Sequence, residues 1–329
     1  MRVGIIGAGS MGEAHATAWI ETPAVIVGFV SRTAVSAHPL AKKYNAKVYP
    51  SLADILADVD VVDICTPTDL HFGMVKQAAA AGKHIVCEKP LARTVAEGRE
   101  MIAICEAADV KLLVAHVLRY FPNYWRMQQQ LVAGDIGRLA ALRLRRVSSH
   151  PQKERDNWFA NQARSGGMML DLLIHDFDYA RWLAGEVKTV HAQKMSSEQT
   201  EAITNHGLVT LTHENGVRSH IEGSWAYPPP FFQTQVEIAG TTGWLRYDSA
   251  ETAVLATDAQ QQATSNSNSR REDPFVAQLN AFYANLRDDA PIRVTAADGL
   301  AALQIALAAI ASAKTGQPVH LSPLPEVVK

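Results

Sequence analysis

The stretch RVGIIGAGSMGEAHATAW (2–19) constrains the fold of this chain more than any other. A short apolar run ends at Gly7, and Gly9 and Gly12 follow before a helical pattern sets in. An apolar strand that passes through a G-x-G-x-x-G turn into a helix is the first half of a βαβ unit. The pattern then repeats. AVIVGFVS (24–31), KVY (47–49), DVVDICTP (60–67), HIVCEKP (84–90) and KLLVAHV (111–117) read as further strands. Helices are expected between them over residues 35–44, 51–56, 69–81 and 94–108. Strands that are apolar throughout are covered on both faces, so the sheet is parallel, and right-handed crossovers make it doubly wound.

After residue 120 the alternation stops. A helix (121–133) precedes LAALRLRRVSSH (139–150), a loop over 151–166 and one helix over 166–185. Strand-like runs follow at 187–195, 203–213, 217–226, 233–240 and 243–248, with Asn215–Gly216 as a hairpin signal between two of them. The polar, low-complexity stretch 258–273 reads as a mobile loop, and two helices, 274–287 and 295–314, come last. The expected fold is therefore α/β in class. A doubly wound domain spans 1–119, and an α+β domain with a mainly antiparallel, open-faced sheet spans 120–329. An open sheet face would expose apolar surface, so a homo-oligomer (dimer or tetramer) is expected.

Composition narrows the partners. Apolar residues make up 47% and charged ones 19% of 329 residues, and the formal charge is −2. There is no basic footprint for nucleic acid and no run of 18 uninterrupted apolar residues, so neither nucleic acid nor membrane is an expected partner. Cys65, Cys87 and Cys105 are scattered without a C-x-x-C, which points to free thiols and the cytoplasm. The N-terminus runs directly into a strand, unlike a signal peptide.

The glycine turn has a chemical reading. Gly7 permits the tight turn, Gly9 lets backbone approach a pyrophosphate, and Gly12 lets helix and strand pack; the backbone N–H groups from Gly9 through Ser10 and Met11 open the helix toward the anion. The second strand ends in Ser31-Arg32-Thr33, where an acidic residue would hold the adenosine ribose of NAD. A hydroxyl and a guanidinium suit a 2′-phosphate, which tilts the cofactor from NAD to NADP, although Arg32 can also stack on adenine in an NAD enzyme.

On a helix through GGMMLDLLIHDFDYARWLAG (166–185), Asp171, Ile174, His175, Asp178 and Trp182 fall in one stripe. That stripe is a surface ion pair, a metal set completed by Asp178, or a working face. His150 and His191 have no ligand-like spacing, which disfavours a metal. Asp178 suits a structural acceptor and Trp182 a core position; Asp176 falls on the apolar side, where the wheel offers no account of it.

Taken together, GAGSMG, CTPTDLH, CEKP and GGMMLDLLIHDFDYARWL resemble the glucose-fructose oxidoreductase/inositol dehydrogenase/MocA (Gfo/Idh/MocA) family over essentially the whole chain. The resemblance implies a catalytic set of Lys89, Asp171 and His175, and a Lys89–Pro90 peptide that is often cis in the family. It implies that Thr66, Pro67 and His71 line the cofactor cleft beside Glu88 and Lys89, and that Arg119, Trp158 and Tyr227 lie in segments lining the substrate site. Elementary chemistry agrees with it. Oxidising a secondary alcohol needs a base for the hydroxyl proton, which His175 supplies, and a donor near the oxygen, which Lys89 supplies. Asp171 can bind a further hydroxyl or orient the imidazole. Met168 stands where a third glycine is common, a departure that puts the local backbone in question. The implied activity is an NAD(P)-dependent interconversion of a secondary hydroxyl and a ketone on a sugar or cyclic polyol. The rivals are a non-catalytic sensor of the same fold and a reductase of C=C, imine or tetrapyrrole groups. Retention of the proton-transfer set disfavours both.

Overall fold

The computed structural model describes residues 1–151, 158–197, 204–251, 255–257, 262–264 and 273–324. The chain divides into two units, Met1–Phe121 with Glu272–Leu300, and Pro122–Arg271 with Ala301–Lys329.

In the first unit, β1 (Arg2–Ile6), β2 (Val25–Val30), β3 (Lys47–Tyr49), β4 (Val61–Ile64), β5 (His84–Glu88) and β6 (Leu112–Ala115) form one sheet in the order β3-β2-β1-β4-β5-β6. Every pairing in it is parallel. The order reverses between β1 and β4, the switch point at which open α/β sheets hold ligands beyond their strand ends. Helices α1 (Ser10–Trp19), α2 (Ala34–Lys43), α3 (Leu52–Ile55), α4 (His71–Ala80) and α5 (Val95–Ala107) fill the connections. Their starts are chemically marked. Ser51 accepts from Asp54 N–H at the head of α3, and Thr94 and Glu97 form a reciprocal capping box on α5.

The expected boundary at 119/120 captures only part of the division, because the chain returns to the first unit near its end. Asp273 caps a helix whose first residue is proline, Pro274–Asp288. This helix contributes Leu279, Phe282 and Leu286 to the same core as Trp19, Phe29 and Val86. Phe282 meets Tyr120 edge-on at 6.2 Å between ring centroids. Its apolar face has no strand next to it in sequence, so which core it joins is a tertiary choice.

In the second unit, β7 (Leu139–Ser148), β8 (Val187–Ser197), β9 (Thr204–His213), β10 (Arg218–Ser224), β11 (Phe232–Gly240) and β12 (Trp244–Asp248) join a short C-terminal strand, Val319–His320. The order is β12-β11-β7-β10-β9-β8 and then that strand. The sheet is antiparallel except for β7 against β10. Asn215–Gly216 does turn β9 into β10, with only Gly216 left-handed (φ +86°) and His213 N–H bonded to the Val217 carbonyl. On one face Leu142, Leu144, Val209, Leu211 and Ile221 are buried. The other face is mostly charged where apolar surface is expected, with Leu208 half exposed among the charges. It carries Arg143, Arg145, His220, Glu222, Glu237 and Arg246 around a cavity of ≈ 630 Å³.

Two further expectations change. Of the polar stretch 258–273, residues 262–264 pair antiparallel with 255–257 instead of looping, Asp273 is the helix cap, and the remainder lies outside the described residues. Residues Ala296–Thr315 form a helix long and apolar enough to cross a membrane by length and composition, although polar residues interrupt its apolar run. Much of it is core: Leu300, Leu303, Ile305 and Ala309 are all buried.

Candidate active site

The glycine turn fits a dinucleotide diphosphate. Gly7 has φ +112°, and a Cβ there would stand 2.4 Å from the Cys65 carbonyl oxygen, so β4 leaves no room for any other residue. A Cβ on Gly12 would stand 1.9 Å from the Gly7 carbonyl oxygen, which is the close approach of helix to strand that the motif requires. Gly9 precedes α1 in extended conformation with nothing within 4 Å of a Cβ position. Ser10 is exposed and Met11 half-buried at the first turn of α1, where backbone N–H groups have no carbonyl partner within the helix. At the end of β2 the half-buried Ser31 shares a hydrogen bond with Ser36 (2.8 Å), and Arg32 is exposed.

Beneath this turn lies a buried network that the sequence reading missed. His15, in α1, is fully buried; its Nδ1 stands 2.9 Å from Asp63 Oδ2 and its Nε2 3.0 Å from Glu88 Oε1. Trp19 Nε1 donates to Asp63 Oδ2 at 2.7 Å, and Glu88 Oε2 accepts from Lys89 N–H at 3.0 Å. The signal was in the sequence. Asp63 interrupts the apolar β4 and Glu88 ends the apolar run of β5, and buried charges need partners. Burial works against protonating His15, but the Asp63 carboxylate, with Cys65, more than offsets it, so its pKa lies well above the ordinary imidazole value. His15, Asp63 and Cys65 bring three potential metal ligands together, the one such group among the described residues. Burial and the Asp63 charge push the Cys65 thiol up to about 12, which keeps it a donor to Asp63 rather than a thiolate ligand.

Thr66 and Pro67 follow β4 and are half-buried. His71, expected among the residues lining the cofactor cleft, is wholly buried, with Nδ1 3.0 Å from the Pro90 carbonyl and Nε2 3.0 Å from the Thr66 carbonyl. Burial lowers its pKa, against the pull of these carbonyls. Lys89 is half-buried, and the Lys89–Pro90 peptide is cis. Arg119 is 2% exposed, donates to the Arg293 carbonyl (2.6 Å) and faces Asp298 at 3.4 Å, so its guanidinium is engaged within its own unit.

In the second unit, the single helix expected over 166–185 is broken. One helix covers Gly167–Asp171 and the next Ile174–Ala184, and the N–H groups of both Leu172 and Leu173 turn to the Met168 carbonyl. Asp171 thus ends one helix and His175 sits in the first turn of the next, so the pair stands at a junction and not along a continuous stripe. The break is a packing effect. A Cβ on Gly223 of β10 would stand 2.5 Å from Leu173 Cδ2 and 2.7 Å from Met168 Sδ, so both side chains are seated where that strand has none. Met168 is buried there, and only Gly166 (φ +80°) and Gly167 (φ +72°) need the left-handed conformation, so a third glycine is not required.

Asp171 is buried and His175 half-buried. Asp178 is fully buried, and Trp182 is half-buried against Trp125, with ring centroids 5.8 Å apart. Asp176 gains an explanation. Arg146 of β7 grips it with Nε–Oδ2 at 2.6 Å and Nη2–Oδ1 at 3.2 Å, both side chains buried. Trp158 stacks on Phe159 at 4.1 Å. Tyr227 stacks on Phe231 at 4.6 Å and accepts from Arg145 Nη2 at 2.5 Å, on the charged side of the sheet.

A six-stranded parallel sheet with this glycine turn, joined to a second unit built on a mostly antiparallel sheet, defines a Rossmann-type oxidoreductase. Comparison with known proteins makes the assignment specific. Residues 1–116 match the oxidoreductase family with NAD-binding Rossmann fold (GFO_IDH_MocA), and residues 124–246 match the GFO/IDH/MocA C-terminal domain. A myo-inositol 2-dehydrogenase of Thermotoga maritima is 30% identical over 98% of this chain and 98% of its own. An inositol 2-dehydrogenase of Rhizobium meliloti is 28% identical over 98% and 99%. The crystal structure of GenD2 from gentamicin A biosynthesis in complex with NAD superposes with a TM-score of 0.85 at 25% identity, covering 98% of this chain and 97% of that one. The chain belongs to the Gfo/Idh/MocA family, and it is an oxidoreductase.

Proposed function

We propose that the protein is an NAD(P)-dependent dehydrogenase that interconverts a secondary hydroxyl and a ketone on a sugar or cyclic polyol. The observation that carries this reading is the Asp171–His175 helix junction, in a chain that also keeps the E-K-P strand end and aligns along its length with inositol dehydrogenases. Gly7, Gly9, Ser10, Met11 and Gly12 hold the diphosphate, and Thr66, Pro67, Glu88 and Lys89 flank the remainder of the dinucleotide. The bound nicotinamide supplies hydride acceptance and donation. His175 takes the hydroxyl proton as general base, Lys89 donates to the oxygen as carbonyl character develops, and Asp171 holds a neighbouring hydroxyl or the imidazole. Because β2 ends in Ser31-Arg32 without an acid, NADP is favoured over NAD. His71 supports the cleft from behind, and Trp158 contributes to substrate contact. For Arg119 and Tyr227 the partners described above support structural roles instead.

The open sheet face neutralises its own charges, pairing Arg143 with Glu237, Arg145 with Glu222 and Arg246 with Glu251, and leaves Leu208 half exposed among them, so a homo-oligomer is proposed through it. Three free thiols suit a reducing cytoplasm. The test is a panel of inositols, aldoses and their ketones with NAD+, NADP+ and the reduced forms, read by reduced-nicotinamide absorbance. Turnover of a ring alcohol is expected. Tight dinucleotide binding with no turnover on any member would overturn the reading in favour of a sensor.

A further inference from the structure

Lys89 lies between two residues that are each tied to a buried histidine, and both ties are internal to the first unit. On one side, Glu88 meets His15 Nε2 at 3.0 Å through Oε1, and its Oε2 takes the Lys89 N–H at 3.0 Å. On the other, the Pro90 carbonyl faces His71 Nδ1 at 3.0 Å. The second nitrogen of each ring reaches β4 or its exit, His15 Nδ1 to Asp63 (2.9 Å) and His71 Nε2 to the Thr66 carbonyl (3.0 Å). Both rings have no exposed surface, so they do not touch a substrate, and anything they do for the reaction passes through the backbone.

We propose that His15 is a positioning residue for Lys89: its Nε2 bolts Glu88, and with it the peptide that carries Lys89, to α1, while Asp63 of β4 fixes the ring from the other side. The proposal rests on the place of Lys89 in the reaction proposed above. A lysine amine hangs on four rotatable bonds, so the part of its position that the protein can preset is the position of its backbone. A misplacement of about 1 Å in a reacting group costs up to about 100-fold in rate.

The two histidines differ in charge. Both nitrogens of His15 face carboxyl oxygens, and only an imidazolium donates to both. The groups around it are Asp63 and Cys65 from β4 and its exit, Glu88 from β5, Trp19 from its own helix, and the uncharged Phe275 ring at 6.1 Å. His71 faces two carbonyls, and in its neutral form donates to one of them. Losing the His15 proton therefore frees either Asp63 or Glu88, so holding both at once requires the imidazolium.

Substitution separates the two ends of His15. His15→Gln carries an amide N–H near the Nε2 position and keeps the Glu88 tie. His15→Asn carries one near Nδ1 and keeps only the Asp63 tie. With the panel alcohol that the wild type oxidises, His15→Asn is expected to lower kcat by about 10- to 100-fold. The Kd for the reduced cofactor that the wild type uses, read by fluorescence, changes less than kcat does, and His15→Gln recovers most of the loss. Wild-type kcat in His15→Asn overturns the proposal, as do equal losses in both variants that follow their Tm. If Lys89→Ala retains full turnover, it is the role of Lys89 that fails and not the tie. Should neither His15 variant fold, nitrogen NMR of histidine-labelled wild type decides. His15 should show a protonated Nε2 at neutral pH, and a bare Nε2 there overturns the proposal.

Discussion

Each unit of this protein buries an ion network, and each network ends one residue away from a proposed catalytic side chain. In the first unit His15 joins Asp63 and Glu88, and Glu88 precedes Lys89. In the second, Arg146 holds Asp176 by two hydrogen bonds, and Asp176 follows His175. The cations set the two apart. Burial opposes the charge of Arg146, but Asp176 beside it raises its pKa further above an already high value, so alkali does not discharge this cation; burial also raises the Asp176 carboxyl against the pull of Arg146, so the pair is undone only from the acid side. An imidazolium can be discharged. The second unit thus has an anchor that alkali leaves intact, and the first has one that alkali can undo.

The sharpest way to break the comparison is to remove the side chains the anchors serve. His175→Ala should lower turnover by about 10²–10⁴-fold, the usual contribution of a general acid/base group, while NADH binding holds. Near wild-type turnover on the true substrate would take His175 out of the mechanism and leave the second anchor serving nothing chemical.

Next come the anchors themselves. Asp176→Ala leaves a buried guanidinium without its partner and should cost about 3–5 kcal/mol of stability, measured by denaturant unfolding. A loss under about 1 kcal/mol would mean that Arg146 finds another acceptor, as exposed pairs commonly can.

A smaller effect belongs to the end of β2, where Arg32 is exposed rather than anchored in a core. The proposed charge-assisted contact of Arg32 to a 2′-phosphate would be worth roughly 1.5–3 kcal/mol, or about 10- to 150-fold in affinity. Ser31→Asp with Arg32→Ala should move the kcat/KM preference from NADP toward NAD. A wild type that already strongly prefers NAD would refute the role given to Arg32.

The smallest effect is on the pH dependence of Tm, and the two buried histidines that flank Glu88–Pro90 pull in opposite directions. The raised pKa of His15 gives stability that is complete below the unfolded value of about 6.5 and is lost as pH rises through the folded value. The lowered pKa of His71 has the reverse sign. Its contribution is complete above about 6.5 and is lost as pH falls below that, as the unfolded chain then binds the extra proton. In His15→Gln the alkaline fall in Tm should flatten while the acid fall stays. An unchanged alkaline limb would place that titration elsewhere.

Much of the first unit is legible in its residues alone. The glycine spacing, the uninterrupted apolar strands and the capping residues Ser51 and Thr94 all report local geometry, and local geometry follows from the residues themselves. The second unit is harder to read. No proline or glycine marks the break at Leu172–Leu173, because it arises from the empty positions at Gly207 and Gly223 on strands far along the chain, over which Met168 and Leu173 pack. A helical wheel assumes one axis, so it places Asp176 on an apolar side and cannot find Arg146, 30 residues away in sequence.

By itself, then, the sequence determined the Rossmann sheet, the dinucleotide turn and the residue types that proton transfer needs, because each is written in spacing along a single strand or turn. Tertiary structure decided the rest. It decided which core takes the helix Pro274–Asp288, where the Asp171–His175 helix breaks, and which buried charges pair. Those outcomes depend on what a side chain meets across the sheet, and a polar atom withdrawn from water must be satisfied by whatever the fold brings to it.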